Sequence, residues 1–320
     1  MTMGEITVAV LGDPSEAILA KIAAALGSDV KIRVAGHADA KQARVLFSWG
    51  GGRDELERTM AAAPHLEWLH SRSAGLDKLL FPALIESPIV LTNGRGVFSQ
   101  ALGEFAILGA LWFAKFVPRL LQAKAERKWE HFNVYALSKQ TMGVVGHGDI
   151  GRAVAWRAKA LGMRVLALRR DSSPRAGDEH VDKVYATADI LQMLPQCDYV
   201  AVAAPLTPET QGMMGKREFA VMKKEAVIIN VGRGPVINEA AMVDALQSGQ
   251  LRGAALDVFE VEPLPQGSPL WAMDNVLISP HCTDNTMDWL DDAANFFVEQ
   301  FGRWRAGAPL RNIVDKRAGY

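Results

Sequence analysis

Short apolar runs alternate with helix-length segments along the whole chain. This alternation is typical of parallel strands that are covered by helices on both faces of their sheet. In the first third of the chain it predicts helices over residues 16–26 and 54–63, and strands over residues 6–11, 43–48, 66–71 and 89–92. We therefore expect this part of the chain to form an α/β unit of ordinary domain size.

A second series of apolar runs follows a long helix that is predicted over residues 101–128. Strands at this spacing, each separated by a helix-length segment, indicate a doubly wound parallel sheet of the Rossmann-like or flavodoxin-like kind. A final helix is predicted over residues 289–305, and its periodicity does not decide on which unit it packs. The strands of the second series are predicted at residues 141–145, 164–168, 199–203, 226–231, 253–258 and 276–279.

Composition and charge exclude several classes of protein. The 320 residues exceed what one hydrophobic core usually organises, so two domains are expected. Hydrophobic residues make up 49% of the chain and charged residues 22%, which argues against a disordered protein. The net charge is -1 and the basic residues are scattered, so nucleic acid is not an expected partner.

The cysteines and the apolar segments bear on the cellular compartment. Cys197 and Cys282 lack neighbours at the spacing of a zinc site, and two cysteines in so long a chain favour a reducing compartment without disulfides. The opening MTMGEITVAVLG lacks the basic start and apolar core of a secretory signal. The longest apolar stretch, residues 105–114, is far shorter than the roughly 20 residues that span a bilayer, and we interpret it as a buried helix. We expect a cytoplasmic protein that has no metal and no membrane partner.

A glycine-rich turn, TMGVVGHGDIG, follows the predicted strand at residues 141–145 and precedes a helix that is predicted over residues 152–160. In a G-x-G-x-x-G turn, Gly146 permits the tight bend, Gly148 lets the backbone approach a pyrophosphate, and Gly151 lets the helix lie close to the strand. The helix N-terminus offers N–H groups to the anion. We interpret the segment as a dinucleotide-binding turn; the alternative is a purely structural strand-to-helix turn. His147 is expected to face solvent and to take no part in catalysis.

The end of the next strand bears on which cofactor is bound. An NAD site usually has an acidic residue there, which accepts hydrogen bonds from the ribose hydroxyls. This chain has VLALRRDSS, with Arg169 and Arg170 at that place and Asp171 after them. Guanidinium groups suit a 2′-phosphate, so NADP is favoured over NAD. In the alternative, the arginines face solvent and Asp171 reaches the ribose.

Three segments at strand ends carry polar residues that suit the reduction of a 2-oxo acid. Arg233 can hold a carboxylate and polarise a ketone through its planar fork, and the glycines beside it are expected to leave the guanidinium open. His281 can donate a proton near neutral pH. A carboxylate such as Glu262 can stabilise the imidazolium, although the sequence alone does not establish that the two residues meet.

The ordered set GHGDIG, AAPLTPET, NVGRGP, DVFEVEPLP and SPH resembles the D-isomer-specific 2-hydroxyacid dehydrogenase family over nearly the whole chain. The resemblance implies a homodimer of two-domain subunits with the active site in the cleft between the domains. It implies that residues 1–99 and 285–320 form the substrate domain, into which a dinucleotide-binding Rossmann domain, residues 100–284, is inserted. The chain would then cross between domains near residues 98–102 and 284–288, and the final helix would belong to the substrate domain. The long helix would form part of the cofactor domain and of the dimer interface.

The same resemblance assigns roles to single residues. Arg233 would bind the substrate carboxylate and carbonyl, Glu262 would support the histidine, and His281 would be the acid/base. Asp257 would meet the nicotinamide carboxamide. The substrate carboxylate would lie on the loop Ser73, Ala74 and Gly75, together with Arg233 and His281. Together with the glycine turn and the arginine pair described above, the expected cofactor residues are Gly146, His147, Gly148, Asp149, Ile150, Arg169, Arg170, Ala204, Pro205, Thr210, Val231, Gly232, Arg233, Asp257 and His281.

Two departures from the family pattern limit this transfer of roles. Many relatives have aspartate where Arg169 stands, so a preference for NAD is not inherited by resemblance. After the histidine, CTDNT replaces a stretch of small residues such as GSAT, which puts the contacts around His281 in doubt. Cys282 has no catalytic partner that would make it a nucleophile.

The expected substrate is a small 2-oxo acid such as glyoxylate or hydroxypyruvate, which would be reduced to the D-2-hydroxy acid. The pocket walls are expected to include Trp49, Gly50, Gly51, Val97 and Trp289, although core packing would equally explain the aromatic residues. Two alternatives remain: a formate- or phosphite-type dehydrogenase on the same fold, and a redox-sensing corepressor-like protein that binds NAD(P) without turnover.

Overall fold

A computed structural model describes residues 5–36 and 38–320 of the chain. The first four residues of the opening segment, in which we predict no secretory signal, lie outside the described residues. The chain forms two compact units. One is built from the described residues up to Phe98 together with residues 286–320, and the other is Ser99–Asn285. That the first unit binds the substrate and the second the dinucleotide stays a prediction.

The first unit contains a five-stranded parallel sheet in the order β2-β1-β3-β4-β5, which is the flavodoxin-like order. The predicted strands and helices lie close to the observed ones, but β2 and the short helix α3 were not predicted. Lys31 and Arg33 interrupt the apolar pattern of β2, which lies at an edge of the sheet and is only partly buried. The elements are β1 (Ile6–Leu11), α1 (Glu16–Leu26), β2 (Val30–Val34), β3 (Val45–Ser48), α2 (Arg53–Ala62), β4 (Trp68–Ser71), α3 (Pro82–Glu86), β5 (Val90–Asn93) and α10 (Trp289–Arg305).

The last helix packs on the first unit. The periodicity of its sequence did not decide between the two units. Ala293, Phe297 and Phe301 recur at intervals of four residues and are all buried, so they form one apolar stripe along α10. The ring of Phe297 stacks on that of Phe47 with centroids 4.1 Å apart and on Trp68 at 5.6 Å. Burying a side chain of this size contributes roughly 1.5–3 kcal/mol, which fixes the helix against β3 and β4.

The second unit contains a seven-stranded parallel sheet in the order β12-β11-β10-β9-β6-β7-β8. The order reverses between β6 and β9, and ligands of such sheets bind outside the carboxyl ends of the strands near that point. The edge strand β8 was not predicted, because it begins with an exposed lysine and only one of its residues is buried. The strands are β6 (Thr141–Val145), β7 (Arg164–Arg169), β8 (Lys183–Ala186), β9 (Tyr199–Val202), β10 (Val227–Asn230), β11 (Gly253–Leu256) and β12 (Val276–Ile278).

Helices cover both faces of this sheet, and alternate residues of each strand enter different cores. Val144 of β6 packs with Tyr199 and Ile229 on one face, whereas Val145 packs with Val200 on the other. This alternation confirms the predicted doubly wound architecture. The helices are α4 (Ser99–Ala114), α5 (Val117–Ala125), α6 (Asp149–Ala160), α7 (Ile190–Met193), α8 (Lys216–Val221) and α9 (Glu239–Gln247).

The single helix predicted over residues 101–128 is wrong, because α4 ends at Ala114 and α5 begins at Val117. Pro118 has no N–H, and its ring would clash with the carbonyl of Ala114 if the helix continued. Phe116 takes a left-handed conformation with a φ of 51°, which redirects the chain. Among the described residues no single helix is long and apolar enough to cross a membrane; α4 and α5 meet the length and composition test only as a pair bent by 61°.

Candidate active site

The glycine turn after β6 has the shape that a dinucleotide phosphate requires. Gly146 has a φ of 95°, and a Cβ there would lie 2.5 Å from the backbone nitrogen of Ala204. A Cβ on Gly151 would lie 2.1 Å from the carbonyl oxygen of Gly146. At Gly148, in contrast, a Cβ would meet no described atom within 4 Å, so the space beside this backbone is open to a ligand.

The helix after the turn begins earlier than predicted. Helix α6 starts at Asp149 instead of residue 152, and its N-cap is Gly148, which has no side chain to accept from the first N–H groups. The helix dipole and these N–H groups favour an anion at this point. The early start brings Asp149 and Ile150, two of the predicted cofactor residues, into the first turn of the helix.

The backbones that follow β9 and β10 lie directly against the glycine turn. Ala204 contacts Gly146, and a Cβ on Gly232 would lie 2.7 Å from the carbonyl oxygen of Ala204. The predicted cofactor residues after β6, β9 and β10 are therefore brought together at the switch point of the sheet. In the segment after β9 the Thr210 hydroxyl donates to the carbonyl oxygen of Pro205 at 2.6 Å, which closes a turn.

The prediction that His147 faces solvent is wrong. Its side chain is fully buried, and neither ring nitrogen has a hydrogen-bond partner among the described residues. Nδ1 lies 3.3 Å from Oδ1 of Asp178, but the ring is not oriented for a hydrogen bond. Burial is the main reason that the pKa of His147 is lowered; the Asp178 carboxylate opposes this, while Arg152 and Arg169 add to it. The loop that follows β7 covers the ring, which the local sequence did not reveal.

Arg169 ends β7 as predicted, but its guanidinium is not open to a ligand. The group is buried, and it donates from Nη1 to Oδ1 of Asp178 at 2.6 Å and from Nη2 to Oδ2 at 2.9 Å. It also donates to the carbonyl oxygens of Asp171, at 2.7 Å, and of Ser173. The expectation that this arginine presents its fork to a phosphate therefore needs correction, because the loop after β7 folds back and supplies an internal carboxylate.

Arg170 and Asp171 differ from Arg169 in being exposed. The Asp171 carboxylate accepts from the Ser173 hydroxyl at 2.6 Å and from Arg175 at 2.8 Å, so it is engaged within its own loop. The pKa of Glu209 is lowered, chiefly by the Thr207 hydroxyl and in part by the charge of Arg170. The charge of Arg170 therefore acts on a carboxylate of the segment after β9 that carries other predicted cofactor residues.

Arg233, Asp257 and His281 follow the adjacent parallel strands β10, β11 and β12, so all three lie at the same edge of the sheet. The glycines on either side of Arg233 allow close contacts between backbone segments. A Cβ on Gly234 would lie 1.8 Å from the carbonyl oxygen of Phe259, so only glycine lets the two loops touch. That these glycines also leave the Arg233 guanidinium open stays a prediction.

His281 and Glu262 are directly paired. Nδ1 of His281 lies 2.8 Å from Oε2 of Glu262, and Oε1 of Glu262 accepts from the backbone N–H of Phe259 at 3.1 Å. A carboxylate at Nδ1 fixes the ring orientation and favours a proton on that nitrogen, which leaves Nε2 available to a ligand. Both side chains are partly exposed. His281 has a φ of 52°, the left-handed conformation, so the loop holds it in a particular orientation.

Asp257 organises the loop that carries His281, a role that the sequence did not reveal. Its Oδ1 accepts from the Ser279 hydroxyl at 2.7 Å and from the backbone N–H groups of Cys282 and Thr283 at 3.1 and 3.2 Å. Its Oδ2 is buried and has no partner among the described residues. A buried acceptor of this kind is costly unless a ligand donates to it, and the amide of a nicotinamide carboxamide is such a donor. The residues present therefore fit a nicotinamide dinucleotide.

Asp284, within the segment that departs from the family pattern, lies in the same cluster. Burial and the Asp257 carboxylate raise its pKa, while His281 and Arg233 act in the opposite direction. Asp284 follows His281 by three residues, and the parallel strands that precede Arg233 and His281 end at the same edge of the sheet.

In the first unit, the predicted substrate loop follows β4. Its shape is fixed by Asn93, whose amide donates to the carbonyl oxygen of Ala74 at 2.7 Å, and by the N–H of Gly94, which donates to the carbonyl oxygen of Ser73 at 3.3 Å. The adjoining Arg72 lies between the indole rings of Trp49 and Trp289, 4.7 and 4.8 Å from their centroids. Two of the aromatic residues expected in the pocket walls therefore contact this arginine.

Comparison with known proteins matches this arrangement to a family. The family model for the "D-isomer specific 2-hydroxyacid dehydrogenase, NAD binding domain" matches residues 107–283. A glyoxylate reductase of Korarchaeum cryptofilum is 32% identical over 268 residues, which cover 80% of this chain and 78% of that protein. A crystal structure of a D-isomer specific 2-hydroxyacid dehydrogenase from Xanthobacter autotrophicus Py2, in complex with NADPH and MES, is 33% identical, with a TM-score of 0.84 and coverage of 98% of this chain and 99% of that one.

Other relatives are considerably longer. The chain is 32% identical over 269 residues to a D-3-phosphoglycerate dehydrogenase of Methanocaldococcus jannaschii, and the match covers 82% of this chain but only 49% of that protein. The chain therefore spans about half the length of this relative.

Proposed function

The chain belongs to the D-isomer-specific 2-hydroxyacid dehydrogenase family, and we propose that it uses NAD(P)H to reduce a small 2-oxo acid to the D-2-hydroxy acid. The observation that carries this proposal is the 2.8 Å contact between His281 and Glu262, at the same sheet edge as Arg233. A cation, a proton donor and a carboxylate that orients the donor are the three groups that such a reduction requires.

Each residue of the cluster has a separate task. When bound, the nicotinamide supplies the hydride that reaches the carbonyl carbon. Arg233 binds the substrate carboxylate and polarises the ketone, so it stabilises negative charge as that charge grows on the carbonyl oxygen. His281 donates the Nε2 proton to this oxygen, and the Glu262 carboxylate stabilises the imidazolium before transfer and holds the ring in place.

The other predicted residues hold the two ligands. The turn at Gly146 and Gly148 with the start of α6 binds the dinucleotide phosphates, and the unpaired Oδ2 of Asp257 accepts from the carboxamide. The backbone of Ser73, Ala74 and Gly75 binds the substrate carboxylate in this proposal. Its support is the family resemblance together with the fixed shape of that loop.

For the cofactor we propose NADPH ahead of NADH. One solved relative, 33% identical, is a complex with NADPH, and Arg170, directly after β7, is exposed. A guanidinium at this position favours a 2′-phosphate. Arg169 takes part only if it is released from its internal carboxylate.

For the substrate we propose glyoxylate, hydroxypyruvate or an acid of similar size. A relative that shares 32% identity over most of both chains is named glyoxylate reductase. We also propose a cytoplasmic homodimer, whose interface includes the exposed leucines of α4 and α5: Leu108, Leu120 and Leu121.

A steady-state assay tests the proposal. Purified full chain is mixed with NADPH or NADH and with oxo acids from glyoxylate to phenylpyruvate, and the loss of nicotinamide absorbance is followed. We expect turnover with the small oxo acids and faster turnover with NADPH. Oxidation of formate or phosphite, or tight dinucleotide binding without turnover of any acid, would overturn the proposed reaction.

A further inference from the structure

The Asp178 carboxylate occupies an anion-binding position at the carboxyl end of β7. It accepts from both terminal nitrogens of Arg169, at 2.6 and 2.9 Å, and from the backbone N–H of Arg175 at 2.9 Å. Nδ1 of His147 lies 3.3 Å from Oδ1 of the same carboxylate. Three charge-assisted or backbone hydrogen bonds thus converge on one carboxylate, and the Arg169 guanidinium lowers its pKa to about 2, so it is charged at neutral pH.

The place of this cluster relates it to a dinucleotide. β7 is the neighbour of β6, and the end of this strand is where Rossmann folds recognise the adenosine ribose. His147 belongs to the glycine turn itself. Gly177, one residue before Asp178, has a φ of 92° and packs on the first turn of α6, where its Cβ would lie 2.5 Å from Nε of Arg152. The loop therefore holds Asp178 beside the turn that would bind the pyrophosphate.

The donors that hold Asp178 are those that a phosphate monoester would need. A guanidinium fork and a backbone N–H group are the usual partners of a phosphate. Arg169 also donates to the carbonyl oxygens of Asp171 and Ser173. Two anions cannot share one fork without strong repulsion. A 2′-phosphate at this position must therefore displace the carboxylate before it can use Arg169.

We propose that Asp178 is a specificity-determining residue, an internal anion that competes with the 2′-phosphate of NADP(H) for Arg169. This inference rests on the proposed function, because it concerns how the same site binds its cofactor. With NAD(H) the pair between Arg169 and Asp178 stays in place, and the carboxylate is available as an acceptor for ribose hydroxyls. With NADP(H) the pair opens. Asp178 thus reduces the preference for NADPH that the arginines would otherwise give.

Nucleotide fragments test the inference without reference to turnover. Adenosine 2′,5′-bisphosphate and 5′-AMP, which differ in the 2′-phosphate, are titrated calorimetrically into the full chain and into its Asp178→Asn variant. We expect the variant to bind the bisphosphate at least about tenfold more tightly, since a charge-assisted hydrogen bond no longer has to be exchanged, and to bind 5′-AMP within about threefold of the original affinity. An unchanged or lower ratio of the two affinities would overturn the inference.

Asp171→Asn is the matched control. It removes the same charge from the same loop, but the Asp171 carboxylate contacts Ser173 and Arg175 instead of Arg169. The ratio of affinities should stay within about twofold of that of the unmodified chain. An increase in this variant equal to that of Asp178→Asn would show a general charge effect and would overturn the specific role of Asp178.

Hydrogen exchange on the unmodified chain gives a second test, which does not depend on the folding of a variant. The Arg175 amide is held by Asp178, so the bisphosphate should speed its exchange whereas 5′-AMP should not. Equal protection in both complexes would contradict the displacement. If NADH and NADPH both bind but these two tests fail, only the role of Asp178 falls; if neither dinucleotide binds, the proposed function falls as well.

Discussion

Nδ1 of His281 lies 2.8 Å from Oε2 of Glu262, and the other oxygen of that carboxylate is held by the backbone N–H of Phe259. The main chain thus holds the Glu262 carboxylate in place, and the carboxylate in turn holds the imidazole ring of His281. Replacing Glu262 with glutamine keeps the shape of the contact but removes the charge that stabilises the imidazolium. We expect kcat for oxo-acid reduction to fall at least about tenfold, which corresponds to about 1.4 kcal/mol in the transition state, with little change in the dissociation constant of NADPH.

The control for this experiment is the neighbouring Glu260, whose carboxylate accepts from the backbone of Glu239 instead of contacting the histidine. Steady-state rates and cofactor binding are measured for Glu262→Gln and Glu260→Gln. A loss of cofactor affinity that accounts for the whole fall in rate would show that Glu262 supports the fold of the cofactor site instead of the proton donor.

Gly148 and Gly146 are expected to respond to alanine in opposite ways. A methyl group on Gly148 meets no described atom within 4 Å, so the protein should tolerate it, but it would fill the space proposed for the pyrophosphate. For Gly148→Ala we expect an unchanged melting temperature and at least about tenfold weaker dinucleotide binding. At Gly146, with a φ of 95° and a contact of 2.5 Å, alanine should cost more than about 2 kcal/mol of stability.

Thermal unfolding and dinucleotide titration of the two variants check this contrast. If the Gly148→Ala protein binds NADPH as tightly as the unmodified chain, the pyrophosphate does not lie beside Gly148.

The burial of His70 makes the stability of the first unit depend on pH. Its ring is buried among Phe47, Trp68 and Phe297, and burial lowers its pKa from 6.5 to about 3. Between these values the unfolded chain takes up a proton that the folded chain excludes, so the free energy of unfolding falls as the pH drops below about 6.5. The contribution of this ring is up to about 1.4 kcal/mol per pH unit.

Urea unfolding at pH 7, 6 and 5, followed by tryptophan fluorescence, measures this slope. His70→Asn can still accept from the Thr92 hydroxyl, which lies 2.8 Å from Nδ1 of His70, but it does not titrate, so its slope should be smaller by about one proton. The exposed His65→Asn is the control for loss of a histidine. Equal slopes for His70→Asn and the unmodified chain would contradict the prediction.

The exposed leucines of α4 and α5 test the proposed homodimer. Leu120 and Leu121 are about half exposed on a helix that has no buried residue, which is unfavourable unless a partner covers them. We expect light scattering to give twice the chain mass for the unmodified protein and the single chain mass for Leu121→Glu. Ile313→Glu, at another exposed apolar position, should remain dimeric. A monomeric unmodified chain would reject the interface.

The sequence predicted most of the parallel strands because a strand buried on both faces is a continuous apolar run. β6, for example, occupies the predicted residues 141–145. Edge strands lack that signal: β2 carries Lys31 and Arg33, and β8 begins with Lys183. The break between α4 and α5 was predictable from Pro118. Proline has no N–H, and its ring clashes with the carbonyl of the residue four positions earlier, so a regular helix does not continue through it.

The candidate site was predictable where residues adjoin strand ends, and not where a loop folds back. Arg233 and His281 are brought to one edge because parallel strands end there together. The pairing of Arg169 with Asp178 spans nine residues of loop, and the burial of His147 depends on the same loop. No local sequence pattern predicts such a contact. From the sequence we therefore expected an open Arg169 and an exposed His147.

The proposed reaction is tested most sharply by replacing His281 with alanine and comparing two quantities with those of the unmodified chain: the turnover number for glyoxylate or hydroxypyruvate with NADPH, and the dissociation constant of NADPH. Loss of the proton donor should lower turnover by about 100- to 10,000-fold, while the dissociation constant stays within about threefold. A His281→Ala protein that turns over as fast as the unmodified chain would contradict the assignment of this histidine and with it the proposed reaction.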